Sequence, residues 1–236
     1  MSRVDGKIGV VTGGTQGLGA AVAWQLARSG AAGLVTCGRN AAKGNAVAQA
    51  IREETGCDVR FVQADLGVAT EVRTVVAAAD KSFGRVDMLV NAAGITDRGD
   101  ILTTDEALFD RMFAINTRAP FFLMQDTIRI MVREGTPGTI VNIGSAAALS
   151  GQPFIAAYCG SKGALATLTR NTAFAAMNNQ IRVNQLNIGW MASDGEDRIQ
   201  RAHRLLEDHG NAPAADPAHL PGTASGEIDA VKQDRT

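Results

Sequence analysis

The sequence predicts an α/β fold: a doubly wound parallel sheet with helices on both faces, in a single domain. Three observations predict it. Short apolar runs alternate with longer stretches of helical periodicity as far as about residue 208. The apolar runs are near-continuous rather than alternating, as in strands buried on both faces. A glycine-rich segment, "TGGTQGLG", separates the first apolar run from the first helical stretch. Right-handed crossovers between such strands make the sheet Rossmann-like.

Each element follows in order. "KIGVVT" (7–12) reads as a buried strand, and Leu18, Val22 and Leu26 give the stretch 16–29 a helical face. "GLVTC" (33–37) is a second strand, followed by a helix with Val47, Ala50 and Ile51 inward. "VRFVQ" (59–63) is a third strand, and Val68, Val72, Val75, Val76 and Phe83 mark the next helix. "VDMLVNAAG" (86–94) leads into a long helical region ending near Met131. "GTIVNIGS" (138–145), a helix over 157–177 and "RVNQLNIG" (182–189) complete six strands. Residues 195–208 are expected to form a further helix, with Ile199, Ala202, Leu205 and Leu206 inward. Residues 209–236 carry three prolines, scattered charge and no β-branched run, so a loose tail is expected there.

Composition narrows the function. Lys and Arg number 23 against 24 Asp and Glu, the net charge is −1, and the pI is about 6.3. No basic surplus argues for nucleic acid or an anionic membrane as partner. Three cysteines, Cys37, Cys57 and Cys159, lack C-x-x-C spacing. Reduced thiols in a cytoplasmic protein are the expectation, with no metal cluster. No apolar run approaches the roughly 20 residues of a membrane helix, and the N-terminal stretch lacks a signal-peptide core.

The glycine turn carries the first chemistry. Gly13, Gly17 and Gly19 fall where a strand gives way to a helix. There the backbone must bend sharply and approach a phosphate closely, and the new helix points free N–H groups at it. Gly13, Thr15, Gln16, Gly17, Leu18 and Gly19 are therefore read as a phosphate cradle. No Gly-Lys-Ser/Thr follows, so it is not a Walker A loop. The second strand ends in "CGRN". Where an NAD site places a carboxylate for the ribose 2′-hydroxyl, this chain offers Gly38, Arg39 and Asn40. An arginine pairs with a 2′-phosphate, so NADP(H) is expected over NAD(H).

Together these segments resemble the short-chain dehydrogenases/reductases. "TGGTQGLG" matches that family's T-G-x-x-x-G-x-G turn, "NAAG" (91–94) its N-A-G motif, and "YCGSK" its Y-x-x-x-K. Ser145 stands thirteen residues before Tyr158, as in the family, and Asn116 and Asp65 match its helix asparagine and its adenine-side acid. The resemblance runs from about Lys7 to about Leu206. It implies that Tyr158 is the general acid in reduction and the base in oxidation. Ser145 would hydrogen-bond the substrate oxygen, Lys162 would hold the nicotinamide ribose, and Asn116 would bind a water leading to solvent. It also implies cofactor contacts from Asp65, Leu66, Asn91, Ala92, Ala93, Gly94, Ile188, Gly189 and Met191. Substrate contacts fall to Ala147, Gln152 and Met191 beside Ser145 and Tyr158. The chemistry agrees independently. Hydride transfer to a carbonyl leaves charge on oxygen, which needs a proton donor and a fixed hydrogen bond. A phenol of ordinary pKa about 10 is a reluctant base, and an ammonium four residues away on the same helical face favours its phenolate.

Two departures stand out. Ile188 replaces the proline that usually follows the sixth strand, and no seventh strand is legible after it. The resemblance implies a homodimer or homotetramer, which a missing edge strand would compromise. The leading expectation is an NADP(H)-dependent enzyme interconverting a small-molecule carbonyl and alcohol. The alternative is an impaired cofactor-binding paralogue or redox sensor.

Overall fold

The computed structural model describes residues 4–189. Six parallel strands form one sheet: β1 (Ile8–Thr12), β2 (Gly33–Gly38), β3 (Asp58–Gln63), β4 (Met88–Asn91), β5 (Gly138–Ser145) and β6 (Ile181–Ile188). Their order is β3-β2-β1-β4-β5-β6, so the winding reverses between β1 and β4. In a doubly wound sheet that reversal opens a crevice beyond the carboxyl ends of the strands, where ligands bind. Thr12, Asn91 and Ser145 end the three strands that border it.

The helices are α1 (Gly17–Arg28), α2 (Ala41–Thr55), α3 (Ala69–Phe83), α4 (Glu106–Phe113), α5 (Ala119–Arg133), α6 (Ala147–Ser150) and α7 (Ala156–Ala176). Strand β2 shows why both faces are covered. Leu34 packs into a core beneath α1 and α2 with Ala23, Ile51 and Val59. Its neighbours Val35 and Cys37 turn to the larger core beneath α3, α5 and α7. Successive side chains on a strand point to opposite faces, so a strand buried on both must be apolar throughout. Cys37 is one consequence: burial pushes its thiol up to about 12, so it behaves as a small hydrophobe.

The sequence reading of one long helix after β4 needs correction. Residues 92–105 form an irregular loop before α4. Asp100 closes a turn by accepting from Leu102 and Thr103 N–H at 2.8 and 2.7 Å. Asp105 then caps α4, accepting from Leu108 N–H at 2.7 Å. The helix is also interrupted by a π-turn, Ala114–Arg118, between α4 and α5. Short α6, directly after β5, is not signalled by periodicity. The predicted helix of 195–208, the tail of 209–236 and any seventh strand lie outside the described residues.

Candidate active site

The crevice is built from the end of β1. Thr12 accepts hydrogen bonds from both Ala92 and Ala93 N–H at 3.0 Å, so one hydroxyl ties the glycine turn to the loop after β4. Gly13 takes a left-handed φ of +73°. A Cβ on Gly19 would lie 2.3 Å from the Gly13 carbonyl oxygen, which only glycine avoids. Helix α1 then starts without a side-chain cap and without an acid in its first turn. Uncapped N–H groups and the positive dipole end face the turn, so the residues present fit a pyrophosphate.

The adenosine end is more open. Arg39 is exposed, and its guanidinium makes no hydrogen bond or ion pair with any described residue. Gly38 lies under Thr15: a Cβ there would come within 2.7 Å of the Thr15 methyl. Asn40 is occupied as the cap of α2, accepting from Lys43 N–H at 2.9 Å. Asp65 accepts from Gly67 N–H at 2.8 Å, which shapes the loop after β3, and Leu66 is buried beside it.

The reacting end assembles from β5, α7 and the π-turn. Ser145 is the last residue of β5, and its hydroxyl accepts from Ala147 N–H at 3.2 Å. Tyr158 sits in the first turn of α7, 8% exposed, packed with Ala147, Ile155 and Met112. Lys162, 5% exposed, stands one turn further, its ammonium 5.9 Å from the Tyr158 ring centre. It donates to the Ile143 carbonyl at 2.8 Å. Burial alone lowers its pKa to about 8. The ammonium thus sits between the strand of Ser145 and the helix of Tyr158.

Asn116 lies in the π-turn and is fully buried. Its amide clasps the backbone of Ile95, accepting from the N–H at 3.0 Å and donating to the carbonyl at 2.9 Å. A Cβ on Gly94 would sit 3.2 Å from Asn116 Oδ1 and 3.4 Å from Lys162 Nζ, so glycine leaves room for both groups. π-turns cluster at functional sites because they displace the regular hydrogen-bond ladder.

The profile of the short chain dehydrogenase family matches residues 7–204. The chain belongs to the short-chain dehydrogenase family. It is 31% identical to galactitol 2-dehydrogenase of Agrobacterium fabrum, over 82% of this chain and 73% of that one. It is 34% identical to versicolorin reductase 1 of Dothistroma septosporum, over 85% and 75%. Among solved structures it resembles L-sorbose reductase of Gluconobacter frateurii, complexed with NADPH and L-sorbose. That likeness has a TM-score of 0.80 and 28% identity, over 89% of this chain and 78% of that one. Like these short-chain dehydrogenases, the chain is an NAD(P)-dependent oxidoreductase acting on alcohol or carbonyl groups of small molecules.

Within this short-chain dehydrogenase the expected residues converge unevenly. Ser145, Tyr158, Lys162, Ala147 and Gly94 gather at one end of the crevice. Gln152 is half-buried in the loop before α7, where its carbonyl accepts from Ile155 N–H at 3.2 Å. Ile188 pairs with Ser145 in register, and its carbonyl accepts from Ala146 N–H at 3.0 Å. Gly189 is exposed, and Met191 lies outside the described residues. Asn91 turns its amide into the interior, 2% exposed, donating to Asn142 Oδ1 at 2.8 Å.

Sequence reasoning missed Thr12, Thr117 and Ser161 as site builders. Thr117 donates to the Ser161 carbonyl at 3.0 Å, and Asn116 donates to the Ser161 hydroxyl at 3.1 Å. Those bonds dock the π-turn on α7 beside Lys162. A polar residue closing the apolar first strand was the signal for Thr12. Ser161 carried none.

Proposed function

We propose that the protein interconverts a small-molecule carbonyl and alcohol with NADP(H), using Tyr158 as general acid and base. The observation that carries this is the buried Lys162, anchored on the Ile143 carbonyl one helical turn from Tyr158. The bound nicotinamide would supply or accept the hydride. The chain's own residues do the rest. Ser145, fixed by its bond to Ala147 N–H, presents a hydroxyl that hydrogen-bonds the reacting oxygen. Tyr158 gives that oxygen a proton in reduction and takes it back in oxidation. Lys162 places positive charge beside the phenol, favouring the phenolate, and its remaining N–H groups hold the nicotinamide ribose. Arg39 pairs with the 2′-phosphate, and the turn from Gly13 to Gly19 carries the pyrophosphate.

The names of galactitol 2-dehydrogenase and L-sorbose reductase direct the substrate search to ketoses and polyols. L-sorbose with NADPH, and galactitol with NADP+, head a panel read at the reduced-nicotinamide absorbance. Wild type should turn over at least one member, and Tyr158→Phe should lose about 10²-fold or more of that rate. Equal rates in the two proteins would remove Tyr158 from the chemistry.

A further inference from the structure

We infer that a chain of polar side chains, the buried Asn91, Asn142 and Thr169 with the half-buried Gln185, sets the register of α7 against β5 and so positions Tyr158 and Lys162 relative to Ser145. The inference rests on the catalytic reading above. Ser145 belongs to β5, whereas Tyr158 and Lys162 belong to α7, and residues 146–155 connect the two elements. A slip of one residue along a helix moves every side chain by about 1.5 Å. Apolar packing tolerates such slips far better than directional hydrogen bonds do.

Two such bonds run from consecutive strand residues to helix residues seven apart. Lys162 donates to the carbonyl of Ile143 at 2.8 Å. The fully buried Asn142, one residue earlier, donates to the Thr169 hydroxyl at 2.9 Å. Seven residues make two helical turns, so Lys162 and Thr169 share one face and grip one strand. Both ends of the second grip are held. Asn142 Oδ1 accepts from Asn91 at the end of β4, at 2.8 Å. The Thr169 hydroxyl donates its one hydrogen to the Leu165 carbonyl, 2.7 Å away, with Gln185 Oε1 on β6 as the alternative acceptor at 3.3 Å. Gln185 in turn donates to Asn187 at 2.6 Å. These last two side chains lie over Gly144, where a Cβ would come within 2.3 Å of each. The chain therefore spans three neighbouring strands and passes over the residue before Ser145. Thr169 and Asn142 touch no reacting group among the described residues, which makes them positioning residues.

Tyr158 is the only tyrosine in the chain, so ultraviolet difference absorbance reads its ionisation directly, without a substrate. Lys162, on the same helix, places its ammonium 5.9 Å from the ring centre. Cys159 follows it in α7, while Ala147, Ile155 and Met112 pack on it uncharged, and Ser145 of β5 is neutral. The test titrates wild type, Lys162→Met, Thr169→Val and Thr169→Ser, with NADPH affinity and Tm measured in parallel. Thr169→Val should raise the phenol midpoint by about one pH unit through a displaced ammonium, and Thr169→Ser should restore it. A lower Tm with an unmoved midpoint, or a shift that Thr169→Ser does not reverse, overturns the inference. If Thr169→Val does not fold, Gln185→Leu takes its place, with a smaller shift in the same direction expected and no shift counting against it. A midpoint that ignores Lys162→Met as well would instead sink the Tyr158–Lys162 pairing itself.

Discussion

A single methyl group at position 19 would collide with two backbone oxygens, Gly13 O at 2.3 Å and Thr12 O at 2.7 Å. Neither can move without opening the turn, because Thr12 is tied to Ala92 and Ala93. Gly19→Ala should therefore cost about 1–3 kcal/mol of stability, as overpacking does, and abolish measurable NADPH binding by fluorescence titration. An unchanged NADPH affinity would mean that the phosphates bind elsewhere. Arg39 poses the opposite case, an exposed cation with no described partner. Its loss should leave Tm unmoved. One charge-assisted hydrogen bond is worth about 1.5–3 kcal/mol, so Arg39→Ala should weaken NADPH by roughly tenfold or more. NADH affinity should not change, and parallel weakening of both cofactors would contradict the assignment of Arg39 to the 2′-phosphate.

Between elements, the hydroxyl of Thr12 does what no local rule specifies. It satisfies two amides of a loop eighty residues away in sequence. Thr12→Val keeps the shape and removes the acceptor, leaving the half-buried Ala93 N–H without it while Ala92 N–H keeps the Val90 carbonyl at 3.1 Å. That should cost about 1 kcal/mol in urea unfolding, the low end of the range for an unsatisfied group, and Thr12→Ser should recover most of it. A Val variant as stable as wild type would show that Ala93 finds another acceptor. This is also where legibility in the sequence ends. The six strands were readable because a strand buried on both faces must be apolar, as in "KIGVVT" and "GLVTC". The glycine turn was readable because close backbone approach excludes a side chain at Gly13 and Gly19. The Tyr158–Lys162 spacing was readable because both residues lie on one helix. The π-turn was not, since its Asn116 answers to Ile95 and Ser161, partners distant in sequence. Nor was the inward turn of Asn91, which depends on Asn142 standing opposite it in register on β5.

Across the whole molecule, stability in alkali sets buried groups against one another. Lys162 titrates near 8 in the fold because burial penalises its ammonium, and near 10.4 when unfolded. Below pH 8 both states hold the proton, and the burial penalty is constant and fully present. Between about 8 and 10.4 the unfolded chain binds more protons, so this residue makes stability rise with pH. The buried thiols act in the other direction. Cys37 is pushed up to about 12 and Cys57 to about 11, both chiefly by burial. An unfolded thiol ionises near 8.5. Their contribution is fully present below that value and is lost as pH climbs towards the folded values. The net curve of the wild type therefore hides the lysine. A comparison with Lys162→Met exposes it, because both proteins carry the same cysteines. From pH 8 to 10, without cofactor, urea unfolding should show wild type gaining on Lys162→Met. A gap that moves the other way would mean that a phenolate at Tyr158 already holds the ammonium charged. The protein would then carry its ion pair in the resting state.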